Sequence, residues 1–131
     1  MRSDRGSSSV EAVLIAPALV LLSMLVVSTS RVHSAGTRVS AAADAAARAA
    51  SQVARDRMTQ AAAETAHAYL ADAAAVCSRV GTSVRVEDSP DGESVVVRVS
   101  CQLSGRGVSS FLDGRAVHAT STEVVDVFTY R

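Results

Sequence analysis

Glu11 is the ionisable residue whose placement asks for a chemical account. It stands against the uncharged run Ala12 to Ser30, AVLIAPALVLLSMLVVSTS, and the next charge is Arg31. Carried to mid-bilayer, such a carboxylate costs about 2.5–3.5 kcal/mol, so it must either stay at the interface or meet a cation. The residues before it, Arg5-Gly6-Ser7-Ser8-Ser9-Val10, include a lone glycine at position 6. The second reactive pair is Cys77 and Cys101, an even count well past the apolar run. In an oxidising space these two form one disulfide, and the competing reading is two buried thiols.

Other chemistry is not legible. His33, His67 and His118 are scattered, and neither a Cys-x-x-Cys nor a metal-ligand spacing accompanies them. The serines form no Gly-x-Ser-x-Gly elbow, and no nucleophile, histidine and acid can be assembled from the chain. The glycines between Gly105 and Gly114 lack the Lys-Ser/Thr or dinucleotide spacing of a phosphate cradle and read as a loop. Two Phe, two Tyr and no Trp argue against a large aromatic-lined pocket. Formal charge is zero, so no general pull toward nucleic acid is expected. We expect no catalytic residues, metal, cofactor or small-molecule substrate.

The elements that must position Glu11 and the cysteines follow from periodicity. The run from Ala12 to Ser30 reaches ~28 Å as a helix, close to a bilayer's hydrocarbon thickness. Arg2, Arg5 and a Val32-His33-Ser34 sequence resemble parts of a secretory signal, which would release a soluble module after about Ser34. The run exceeds the apolar core of such signals, which favours a retained anchor. Arginines flank both ends almost equally, and the cysteine pair favours an exported C-terminal part. The expected division is a cytoplasmic N-terminal segment, residues 1–11, a membrane helix, residues 12–30, and an extracytoplasmic domain, residues 31–131. Pro17 frees the carbonyl of Val13 and predicts a mild kink within the span.

From Thr37 to about Arg79 there is no Gly or Pro and Ala dominates, which predicts one long helix. Its apolar stripes are Val39, Ala42, Ala46, Ala49, Val53 and then Met58, Ala62, Ala66, Tyr69, Ala73, Val76, Val80. They do not share one register, so the packed face shifts near Arg55-Asp56-Arg57. Gly36 either carries the membrane helix into this one or is a hinge between them. Asp44 and Arg48 are spaced as a solvated helix pair.

After Gly81 the period becomes 2. Strands are predicted over Thr82–Glu87 and Ser94–Leu103, joined by a turn at Asp88-Ser89-Pro90-Asp91-Gly92-Glu93, and a third over Ala116–Tyr130. On the second strand Val95, Val97, Val99, Cys101 and Leu103 share the buried face. Cys77, expected in the last turn of the long helix, would then bridge to Cys101 and pin sheet to helix. The fold class is α+β: a single transmembrane helix continuing into an Ala-rich helix packed on a small, about three-stranded antiparallel sheet.

Arg5-Gly6-Ser7-Ser8-Ser9-Val10-Glu11-Ala12, the span with its early Pro17 and the Arg- and Ala-rich stretch Arg38 to Arg57 resemble the TadE-like minor pseudopilins of bacterial tight-adherence (Tad) pilus and type IV pilus-like secretion systems. The resemblance implies cleavage by a prepilin peptidase after Gly6, which makes Ser7 the new N-terminus. Its freed amine would be the cation for Glu11 of a neighbouring subunit. It further implies a minor structural component of a pilus or secretion system, whose partners are membrane lipid, other pilus subunits and the Tad assembly machinery. The alternative is a secreted or membrane-anchored extracytoplasmic binding module with no filament role.

Overall fold

The computed structural model describes residues 7–73, 77–90, 92–105, 110 and 112–125. Helix α1 runs unbroken over Ser7–Ser51, 45 residues or ~67 Å, and Pro17 lies inside it. It continues through Gly36, where an added Cβ would meet nothing within 4 Å. Of the two readings of Gly36, continuity is the one observed.

The long helix expected as far as Arg79 is corrected. α1 stops at Ser51, the chain turns through residues 52–57, and a second helix, α2, occupies Met58–Leu70, followed by a 3-10 turn at Ala71–Ala73. Neither Gly nor Pro marks the break. Ser51 Oγ donates to the Arg48 carbonyl at 2.9 Å, and Val53 N to the Ala50 carbonyl at 3.4 Å, so local tightening diverts the backbone from the α ladder. The shift in stripe register at Arg55-Asp56-Arg57 is the trace of this reversal: two stripes that cannot share a straight helix are both buried once the chain folds back.

The strands are β1, Cys77–Ser89, β2, Gly92–Leu103, and β3, Ala116–Val124, in antiparallel order β1-β2-β3. β1 starts earlier than the expected Thr82. The expected third strand is seen as far as Val124, and its extension to Tyr130 lies outside the described residues. The pairing of Ser89 with Gly92 closes the β1–β2 hairpin, and Gly92 takes φ 125° there, a conformation open to glycine.

One face of this sheet packs on the two helices. Val95, Val97, Val99, Cys101 and Leu103 of β2 are buried as their alternation predicts. Val80, Val84 and Val86 of β1 and Val117 and Ala119 of β3 lie at the margin of the same core. Opposite them α1 contributes Ala35, Val39, Ala42, Ala43, Ala46, Ala47 and Ala50. Small side chains here let helix and sheet backbones approach closely, so a thin core can still be dense. From α2 come Met58, Ala62, Ala66 and Leu70; Tyr69, expected in that stripe, is 56% exposed. Val76 of the stripe lies outside the described residues, and Val80 is on β1.

Candidate assembly helix and disulfide

The N-terminal half of α1 is apolar and uncovered. Val10, Val13, Leu14, Leu19, Leu21, Leu22, Leu25 and Val26 each expose more than half of their surface. The most apolar eighteen residues of this helix have none buried within the molecule, and by length and composition the helix suffices to cross a membrane. Three of its hydroxyls are satisfied within the helix. Ser23 Oγ donates to the Leu19 carbonyl at 2.8 Å, Ser28 Oγ to Met24 at 2.7 Å and Thr29 Oγ1 to Leu25 at 2.9 Å. A side chain that returns its proton to the preceding turn presents little unsatisfied polarity to lipid, where unpaired groups are costly.

Glu11 sits near the start of this helix and is exposed. Among the described residues it has no hydrogen bond or ion pair. Gly6 lies outside the described residues, and Ser7 is the first residue of α1. Pro17 is inside the helix, six positions beyond Glu11.

Cys77 and Cys101 are bonded, with Cα atoms 5.4 Å apart. The pairing expected from the sequence is therefore present, but its setting is not the expected one. Cys77 is the first residue of β1 instead of the last turn of a helix, so the bridge ties two neighbouring strands. A bulge makes this possible. Core-facing residues of β1 are even-numbered, from Val80 to Val86, and Cys77 would point outward on a regular strand. The register shifts between Cys77 and Arg79, placing Cys77 opposite Leu103 and Val80 opposite Cys101, so the bulge returns Cys77 to the inner face. No sequence signal marks that extra residue.

Two ion pairs fix the layers at one end. Arg48 Nε of α1 lies 3.5 Å from Glu123 Oε1 of β3, and Arg55 Nη2, in the turn between helices, lies 3.1 Å from Glu93 Oε1 just after the hairpin. Arg48 thus reaches across to the sheet, where its spacing from Asp44 had predicted a pair along the helix. Among the described residues no group of three or more His, Cys, Asp or Glu could hold a metal ion. A shallow hollow between the helices, lined by Ala41, Asp44, Ala45, Arg48, Thr65 and Tyr69, is open to solvent.

Comparison with protein families matches residues 6–48 to the family described as TadE-like protein. Over these residues the chain is TadE-like. The match begins at Gly6 and ends three residues before the end of α1, so it covers about a third of the chain and none of α2 or the sheet. The TadE-like family is structural and pilin-like, not enzymatic. The comparison with curated proteins gives no match, and neither does that with solved structures. The TadE-like segment takes in the uncovered apolar half of α1 and most of its buried alanine face, while the disulfide lies in the sheet beyond the match.

Proposed function

We propose that the chain is a minor pseudopilin-like component of a Tad or type IV-like pilus or secretion system, assembling through the N-terminal half of α1. The observation that carries this is that the TadE-like match includes an exposed apolar stretch of α1 that bears one carboxylate, Glu11, near its start. Residues 12–30 span the membrane, residues 1–11 face the cytoplasm, and residues 31–131 stand outside, where the disulfide is stable. A prepilin peptidase cuts between Gly6 and Ser7. The freed amine of Ser7 then pairs with Glu11 of a neighbouring subunit, in a medium where an unpaired carboxylate is expensive. Pro17 bends the helix within the span so that packed neighbours can follow one another. Other pilus subunits and the Tad assembly machinery are its partners, and its role is structural.

The test is Glu11→Val in the full chain, followed by membrane fractionation and by co-purification with pilus components. Membrane insertion is expected to persist or improve, because a charge has been removed, while co-assembly is lost. Insertion with unchanged co-assembly would overturn the proposal and favour an anchored binding module. N-terminal mass spectrometry of the extracted protein reads the processing step separately: a mature chain beginning at Ser7 is expected, and one beginning near Ala35 would show a released module.

A further inference from the structure

The two ion pairs give the domain a near and a far end relative to the apolar helix. Arg48 close to the end of α1 meets Glu123 close to the end of β3, and Arg55 meets Glu93 beside the hairpin. The far end therefore holds the turn between α1 and α2, the β1–β2 hairpin and the end of β3. The near end holds the end of α2, the Cys77–Cys101 bridge, the close of β2 at Leu103 and the start of β3 at Ala116. The Leu103–Arg115 connection is tied there by Leu103 N donating to the Arg115 carbonyl at 2.7 Å and Gly114 N to the Leu103 carbonyl at 3.2 Å.

Charge is divided between these ends although the chain as a whole is neutral. Among the described residues of the near end and the helix beneath it, Arg31, Arg38, Arg79 and Arg115 are exposed, against two acids: Asp72 in the 3-10 turn after α2, and Asp113, whose Oδ1 accepts from Gly105 N at 3.2 Å. The far end carries Asp56, Glu87, Asp88, Glu93 and Glu123, with Arg48, Arg55 and Arg57 among them. Arg79 and Arg115 fall near one row of the sheet, since Arg79 is opposite Gln102, Gln102 is opposite Ala116, and Arg115 precedes Ala116.

The helix fixes the height of the near end. The uncharged run closes at Ser30, and Ala35 is already buried in the core of the domain. Five residues of continuous helix rise ~7.5 Å, about the thickness of one headgroup layer. Held at that height, the basic end of the domain meets phosphate.

We propose that the disulfide end of the domain docks on anionic phospholipid headgroups through Arg38, Arg79 and Arg115. Charge complementarity and the length of the helix both select this occupant, with each arginine near an anionic surface favouring contact roughly fivefold. The acidic far end is turned away from the bilayer by the same geometry, which orients the domain on its anchor. The inference rests on α1 crossing the membrane but holds for either face.

The experiment places the full chain in nanodiscs of phosphatidylcholine alone or with phosphatidylglycerol and reads amide relaxation by NMR from two paramagnetic lipids. A gadolinium headgroup label is expected to broaden Arg79, Gly105, Gly114 and Arg115, several-fold more with phosphatidylglycerol, and to spare Glu87 to Glu93. The double substitution Arg79→Glu with Arg115→Glu is expected to remove most of that difference, as is about 1 M NaCl, where the screening length falls to about 3 Å. Equal broadening in both lipids, or broadening indifferent to charge reversal and salt, would overturn the docking. An acyl-chain label reads α1 independently. Broadening over Val13 to Val27 without a headgroup effect refutes docking alone, whereas its absence refutes the anchor and the docking together.

Discussion

Reducing the Cys77–Cys101 bridge isolates what it contributes, because the freed thiols remain as small buried hydrophobes at 8% and 0% exposure. The bridge spans 24 residues, and in the chain-entropy model closing a loop of that size removes about 3.5 kcal/mol of unfolded-state freedom. A domain of this size has roughly 5–15 kcal/mol in total, so the loss is a large share. At a urea slope of about 1.5 kcal/mol per molar, the midpoint should fall by roughly 2 M. The measurement is urea unfolding of the full chain in detergent, followed by circular dichroism, with and without a phosphine reductant. Location matters as much as size. Since both cysteines are strand residues, reduction should raise hydrogen exchange first at the Cys77 end of β1, while α1 stays protected over Val39 to Ala50. An unchanged midpoint would refute the entropic argument. Equal loss of protection in α1 and β1 would refute the view that the bridge secures the sheet edge instead of the sheet–helix contact.

Two further substitutions test the packing. Ala46 of α1 is fully buried in the core, and Ala46→Leu adds bulk where small side chains let the elements approach, so thermal unfolding should show a loss of about 1–3 kcal/mol; a neutral result would mean the core has room to spare. Thr82 Oγ1 is buried on the inner face of β1 with no hydrogen-bond partner among the described residues, so Thr82→Val should stabilise by about 1 kcal/mol in the same assay, and destabilisation would show that the hydroxyl is satisfied.

The elements that were legible share a physical reason: each has a period enforced by one buried face. The alternation Val95, Val97, Val99, Cys101, Leu103 admits one inward set, and the hairpin turn with Pro90 and Gly92 sets the pairing of β1 with β2. The apolar run before Arg31 likewise identified the uncovered helix. What failed was the single helix from Thr37 to Arg79, which breaks after Ser51 and gives way to β1 at Cys77. Ala-rich sequence from Thr37 to Leu70 has helix propensity throughout, so propensity cannot say where tertiary burial makes the chain turn; only the conflict between the two stripes did. The strand position of Cys77 is hidden in the sequence for a related reason. Val76 and Val80 are four apart and extend a helical stripe, yet Val80, Val84 and Val86 also alternate as a strand, and the bulge at Ser78 conceals the parity of Cys77. Of the site, the cysteine pairing was readable from type and position. The pairing of Arg48 with Glu123 was not, because it depends on which strand lies over α1.

The continuity of α1 ties its uncovered apolar half to the folded domain more tightly than a hinge at Gly36 would. Each half meets a different demand on one helix: large apolar side chains uncovered from Val10 to Val27, then alanines buried from Ala35 to Ala50. A flexible joint would let the sheet sample many orientations over the bilayer, and the Leu103–Arg115 connection would face headgroups only part of the time. An unbroken helix converts any tilt of the span into the same tilt of the domain. In an assembly held by helices, the direction in which the acidic far end points is then a property of how neighbouring spans pack. The alanine face is consequently more than a filler for a small core: by keeping α1 continuous against the sheet, it makes the orientation of the domain depend on the orientation of the apolar half of the helix.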